Sequence, residues 1–411
     1  MKYYFHIDVN SAYLSWQAAY MLSQGYPQDI RKFPSVIGGD QRKRKGIVLA
    51  KSIPAKKYNI QTGESLHEAK RKCPVLQIFP PNYQLYMQAS QAMVDLLYHY
   101  SPNIQRFSID EVFLDLYGDV KEVLNIAENI LWDIESKLGF TVNIGISENK
   151  LLAKMASDFK KPNQIHTLFK DEISKKMWPL PVEKLFMVGS RTKRKLNSRG
   201  IRSIGDLANL SGDYIYDWLK KPGLTIWNYA NGREDSTITI DRAPVKSLGN
   251  STTTPYDITT TREAEMFLLA ISEKLAMRLR SIHKRAQVIS VRISDHEFIS
   301  YRKEQKIPIA THNTNRIYQI ARQLFHEIFP HKPIRRFSIG VSSFICDEQL
   351  QLSFFHQDDA DFEKLDLKID QLRNEYGHRI LQRSIFLHSG IAPIIGGVLE
   401  EEEYLLMTSV L

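Results

Sequence analysis

Ser108-Ile109-Asp110-Glu111 joins two apolar runs, Asn103 to Phe107 and Val112 to Leu116. Their composition predicts two strands paired in a tight hairpin. Adjacent carboxylates at a strand junction are poor sheet formers and poor core residues, so another reason must hold them there. A further carboxylate, Asp8, ends the N-terminal apolar run Tyr3-Tyr4-Phe5-His6-Ile7. If these strands are neighbours, Asp8, Asp110 and Glu111 converge at one sheet edge. Hard carboxylate oxygens without histidine or cysteine suit Mg²⁺, which takes a few carboxylates with phosphate oxygens and water. A lone Asp-Glu pair is more often a solvated turn; Asp8 and the pattern around it favour the metal site.

The chain has 411 residues, which predicts two to four domains. A hydrophobic content of 43% and a charged content of 25% are those of a soluble globular protein. No apolar run is long enough to span a bilayer, and the N-terminus lacks the plan of a signal peptide. The two cysteines, Cys73 and Cys346, make neither a disulfide framework nor a zinc site. A cytoplasmic protein without a membrane partner is expected. The formal net charge of +9 favours a polyanionic partner. Basic residues cluster at Arg191, Lys193, Arg194, Lys195, Arg199 and Arg202, and again between Arg278 and Arg336, whereas the last segment is acidic.

In chain order, Ser11 is placed to cap a helix running to about Ser23 that carries Tyr13 near the acidic site. Gly38-Gly39-Asp40 resembles part of a nucleotide-cyclase signature, but the basic run 41–45 follows and predicts a turn before the strand Ile47 to Ala50. Ser65-Leu66-His67-Glu68 reads as a capping box for a helix ending near Cys73. Helical spacing returns from Gln84 to Tyr98 and from Lys121 to Leu138, with a strand from Thr141 to Ser147. The order strand, helix, hairpin, helix, strand is a ferredoxin-like βαββαβ arrangement with residues near 30–74 inserted after the first helix. Polymerases and cyclases both use such a sheet, so the fold alone selects neither.

The run from Gly145-Ile146-Ser147-Glu148-Asn149-Lys150 to Lys160-Lys161-Pro162-Asn163, with Asp8-Val9-Asn10-Ser11-Ala12-Tyr13 and Ser108-Ile109-Asp110-Glu111, resembles the Y-family translesion DNA polymerases. The UmuC-like branch looks closest, with the DinB-like branch second. The resemblance implies an α+β multidomain protein: a ferredoxin-like palm (1–25 and 76–168), fingers (26–75), a helical thumb with a helix-hairpin-helix (169–231), a linker (232–245), an α+β little finger (246–348), and a clamp-binding peptide with a C-terminal tail (349–411). It implies a low-fidelity, template-directed polymerase acting as a monomer on primer-template DNA and dNTPs. Asp8, Asp110, Glu111 and the Val9 carbonyl would hold two Mg²⁺ ions, with Mn²⁺ as a substitute. Tyr13 matches the steric gate and Lys161 the phosphate lysine, while Ala50 and Lys56 stand where many members carry a hydroxyl and an arginine. Gly189, Arg191, Lys193 and Gly200 would grip duplex backbone through the helix-hairpin-helix. Gln351, Leu352, Phe354 and Phe355 are similar to the short peptide that docks on the bacterial sliding clamp. A nucleotide cyclase or an inactive DNA-binding member are the rival readings.

Overall fold

The computed structural model describes residues 1–39, 46–239, 244–346, 357–377 and 380–391, with two compact units, one of residues 1–39 and 47–239 and one from residue 244 onward. The predicted basic turn at 40–45 and the clamp-like peptide 351–355 lie outside the described residues.

The first unit is built on β1 (Lys2–Val9), whose run of aromatic and branched side chains is buried along nearly its whole length. Such continuity requires cover on both faces of the sheet. On one side Phe5 and Ile7 pack with Trp16 of α1 (Ala12–Ser23) in a common core. Ser11 precedes α1 in a left-handed conformation and makes no side-chain cap, so the predicted capping role fails; its backbone carbonyl accepts from Leu14 and Ser15 instead.

A separate three-stranded sheet follows: β2 (Ser35–Gly38) pairs with β3 (Val48–Lys51) and, in parallel, with β4 (Gln77–Phe79). It packs on α2 (Ile53–Lys56) and α3 (Leu66–Lys72) around Val36, Val48, Ala55, Leu66 and Cys73. Only half of the predicted capping box forms, with Ser65 accepting from the Glu68 amide.

The chain returns through α4 (Tyr83–Leu97) to β5 (Ile104–Arg106) and β6 (Glu111–Tyr117), the predicted hairpin. After α5 (Val120–Asp133) come β7 (Val142–Ser147), α6 (Lys150–Ser157) and β8 (Ile165–Thr167). Strand order is β5-β6-β1-β7-β8. Its first four strands have the ferredoxin-like arrangement, and β8 extends the edge parallel to β7.

Every residue of α6 is buried. Leu151, Leu152 and Met155 share a core with the helices that follow, α7 (Ser190–Asn197), α8 (Ile204–Ala208) and α9 (Gly212–Ala230). Gly189 leads into α7, and Gly200 turns the chain beyond it at φ 78. That is the helical hairpin expected there.

The second unit is a four-stranded antiparallel sheet. In chain order its elements are β9 (Ser247–Ile258), α10 (Thr261–Ser281), β10 (Lys284–Asp295), β11 (Ser300–Thr311), α11 (Thr314–Ile328) and β12 (Ile334–Cys346). Its core joins α10 and α11 to β10 and β12. A last helix, α12 (Gln357–Tyr376), docks by ion pairs: Arg280 donates to Asp370 at 2.5 Å, and Arg285 forks onto Glu363 at 2.6 and 2.8 Å. Among the described residues no helix is long and apolar enough to cross a membrane.

Close contact between β7 and α6 depends on Gly145. A Cβ there would lie 2.0 Å from the Ala153 carbonyl oxygen and 2.4 Å from the Ser157 amide nitrogen, both backbone atoms with no rotamer to give. Gly145→Ala is expected to destabilise the first unit by about 2 kcal/mol or more, read as a lower denaturation midpoint in urea.

Candidate active site

The β1–β6 ladder pairs Asp8 directly with Glu111, and the Val9 amide donates to the Asp110 carbonyl at 3.0 Å just beyond it. The three carboxylates therefore meet at one end of the five-stranded sheet. Ser108, in the hairpin turn, donates its hydroxyl to Asp110 Oδ1 at 2.6 Å and lies 3.4 Å from Glu111 Oε2. Helix α6 and the loop after it bring two cations to the same place. Lys161 donates to Asp8 and, at 2.8 Å, pairs with Asp158; Lys154 donates to Glu111 Oε1 at 2.5 Å.

Burial pushes the Asp8 carboxyl up to about 7, with Glu111 and Asp110 adding repulsion and Lys161 opposing. Burial works against the Lys161 ammonium, but Asp8 and Asp158 outweigh it and its pKa is raised. The electrostatic direction is plain: this carboxylate cluster needs positive charge beside it. Among the described residues no three acidic, histidine or cysteine side chains already form a closed ligand cluster. Asp8 and Glu111 are instead turned onto lysines. Hard oxygen donors in a group that attracts two ammonium ions fit divalent cations such as Mg²⁺.

A cavity of about 680 Å³ opens beside this cluster, lined among others by Asp8, Tyr13, Ala50, Lys56, Asp110 and Lys161. The structure thus gathers residues that lie far apart in the chain, and Val9 lines the cavity with them. Tyr13 is half-buried, its ring stacked on Tyr86 with centroids 4.6 Å apart and edge-on to Tyr83 at 6.1 Å. Lys51, also on the wall, donates to the Ile60 carbonyl at 2.5 Å, so its ammonium is already engaged; burial lowers its pKa.

Arg31, not among the residues expected at the site, enters the wall from the inserted segment. It is held by Asp29 at 2.9 Å and donates to the Gly139 carbonyl at 2.8 Å, more than a hundred residues away. Asp29 two residues before Arg31 was the only local signal. Lys154 was also missed, because its position on α6 reads as the polar side of an ordinary helix.

Away from the cavity, Arg191 is exposed on α7, while Lys193 on the same helix pairs with Glu183 at 2.7 Å. Gly189 and Gly200 flank that helix as expected. Gln351, Leu352, Phe354 and Phe355 lie outside the described residues.

Comparison with known proteins matches residues 7–158 to the impB/mucB/samB family and residues 245–354 to the impB/mucB/samB family C-terminal domain. The chain is 44% identical to a protein of Clostridium acetobutylicum named DNA polymerase IV, over 94% of this chain and 98% of that one. It is 32% identical to DNA polymerase IV 2 of Bacillus subtilis, over 94% and 95% of the two chains. Among solved structures, a Y-family DNA polymerase chimera of Dbh and Dpo4 shares the fold with a TM-score of 0.72 at 21% identity, covering 84% of this chain and all of that one. These relatives bear the name DNA polymerase IV, which goes with the DinB-like branch and does not support the expected preference for the UmuC-like one. The chain belongs to the impB/mucB/samB family, the Y-family of DNA polymerases.

Proposed function

We propose that the chain is a low-fidelity, template-directed DNA polymerase of the DinB-like branch, extending a primer 3′-hydroxyl with dNTPs and tolerating damaged templates. The observation that carries this is that Asp8, paired across the strands with Glu111, lines with Asp110 a cavity walled by Tyr13 and Lys161. Asp8, Asp110, Glu111 and the Val9 carbonyl would hold two Mg²⁺ ions, replaceable by Mn²⁺. Bound there, such ions lower the pKa of the attacking hydroxyl and neutralise the triphosphate.

The chain's own residues supply the rest. Lys161, now on Asp8 and Asp158, is within the same cavity as a triphosphate would be and offers its ammonium to phosphate oxygens. Lys56 gives a single point charge where an arginine would give a fork, so phosphate orientation falls more heavily on Lys161. Ala50, small and apolar, leaves its part of the wall without a hydroxyl donor. The Tyr13 ring, fixed by Tyr86 and Tyr83, fills the space a 2′-hydroxyl would need and thereby selects dNTP over rNTP.

In this reading the two compact units carry the palm, fingers and thumb (1–231) and the little finger (246–348), joined by residues 232–245. Gly189, Arg191, Lys193 and Gly200 hold duplex backbone, which gives affinity without sequence preference. Gln351, Leu352, Phe354 and Phe355 dock the polymerase, as a monomer in the cytoplasm, on the sliding clamp.

Two measurements test the assignment. Asp8→Ala, Asp110→Ala and Glu111→Ala are each expected to cut Mg²⁺-dependent primer extension by about 10²–10³-fold while primer-template affinity stays near wild type. Full extension by all three variants would contradict the site. Tyr13→Ala is expected to lower the dNTP/rNTP incorporation ratio by about tenfold or more, read in single-nucleotide insertion. An unchanged ratio would make Tyr13 a packing residue only.

A further inference from the structure

Lys154 is buried in a pocket with an unusual set of walls. Its ammonium lies 2.5 Å from Glu111 Oε1 and 3.5 Å from His6 Nε2. The rings of Phe107 and Phe186 flank it, with centroids 4.8 and 5.6 Å from Nζ. Its side chain is only 8% exposed, so water does not compete for these contacts. The histidine's role follows from its other nitrogen. Ser157 donates its hydroxyl to the Lys154 carbonyl at 2.8 Å, so the same oxygen accepts from His6 Nδ1 at 2.7 Å. With the proton on Nδ1, Nε2 turns a lone pair toward the ammonium. Phe107, Phe186 and His6 thus fix Lys154, and Lys154 fixes one oxygen of Glu111. The other oxygen, Oε2, meets among the described residues only the long Ser108 contact of 3.4 Å.

We propose that Lys154 is a positioning residue for the reaction: it anchors Glu111 by Oε1 so that only Oε2 is offered to a cation, lowering metal affinity in exchange for a fixed ligand geometry. This rests on the reading of Glu111 as a metal ligand given above. Two effects with opposite sign follow. Without the ammonium, the cluster of Asp8, Asp110 and Glu111 is more negative and Glu111 can offer both oxygens, so a divalent ion binds more tightly. A Glu111 free to rotate holds that ion less well for chemistry, so turnover falls. A residue that merely supported the fold would weaken both.

The test is calorimetric titration of Mn²⁺ into the full-length, DNA-free chain, beside steady-state nucleotide insertion. Lys154→Met, similar in length and uncharged, is expected to bind Mn²⁺ about tenfold more tightly, the effect of removing one unit charge about 6 Å from a divalent ion even at the dielectric of water. Its kcat is expected to fall about tenfold or more, with KM for dNTP within about twofold of wild type. Lys154→Arg restores the charge and should return Mn²⁺ affinity to near the wild-type value. If Lys154→Met fails to fold, Lys154→Gln is measured in its place with the same expectations. Unchanged or weaker Mn²⁺ binding, or unchanged kcat, in the neutral variant overturns the inference. A wild-type chain that binds Mn²⁺ and extends a primer while its neutral variant matches it overturns the Lys154 inference alone; a wild type that does neither overturns the site assignment with it.

Discussion

The register of β1 against β6 is the constraint from which the site follows. Side chains alternate across a strand with a period of two, so the pairing of Asp8 with Glu111 puts both carboxylates on the sheet face that α6 covers. His6, two residues earlier on β1, lies on that face and meets Lys154 and Ser157 of α6. A slip of one residue would send Asp8 to the opposite face, among the apolar side chains around Phe5 and Ile7, where a carboxylate has no partner. The hydrophobic pattern of β1 therefore enforces the register, and the register gathers the charge.

That gathered charge has a cost in isolation, which explains the lysines. Three carboxylates at one sheet end repel one another, and burial alone would favour protonating Asp8. Lys161 and Lys154 each neutralise one of them, and both come from the segment 150–161 packed over β7. Gly145 lets that segment approach so closely, because no side chain stands between β7 and the backbone of α6. Sheet register, glycine contact and paired lysines thus form one connected arrangement. The protein supplies its own cations to a site that suits divalent ones, and phosphate or metal would compete for the same groups.

Much of this was legible in the chain itself. The apolar run 3–7, the hairpin around Ser108 and the helical spacing of 84–98 identified the palm, because period and turn chemistry are local properties. The glycines at 189 and 200 marked the hairpin of the thumb for the same reason. Ser11 misled: it stands where an N-cap belongs but adopts a left-handed backbone that turns its side chain away from that role. What stayed hidden depends on contacts between distant residues. Arg31 reaches the cavity only because the inserted sheet folds beside Gly139. The buried face of α12 is charged, with Asp366, Asp370 and Arg373 inward, so apolar periodicity could not orient it.

The central claim is that Asp8, Asp110 and Glu111 form one binding site for the ions and nucleotide of DNA synthesis. Anomalous-scattering crystallography of the chain with primer-template, a non-hydrolysable dNTP analogue and Mn²⁺ tests it most directly. Two Mn²⁺ peaks are expected about 3.5–4 Å apart, ligated by Asp8, Asp110 and Glu111 and by the triphosphate, with Lys161 moved from Asp8 onto phosphate. Peaks held by other residues, or a triphosphate bound elsewhere while Lys161 remains on Asp8, would contradict it.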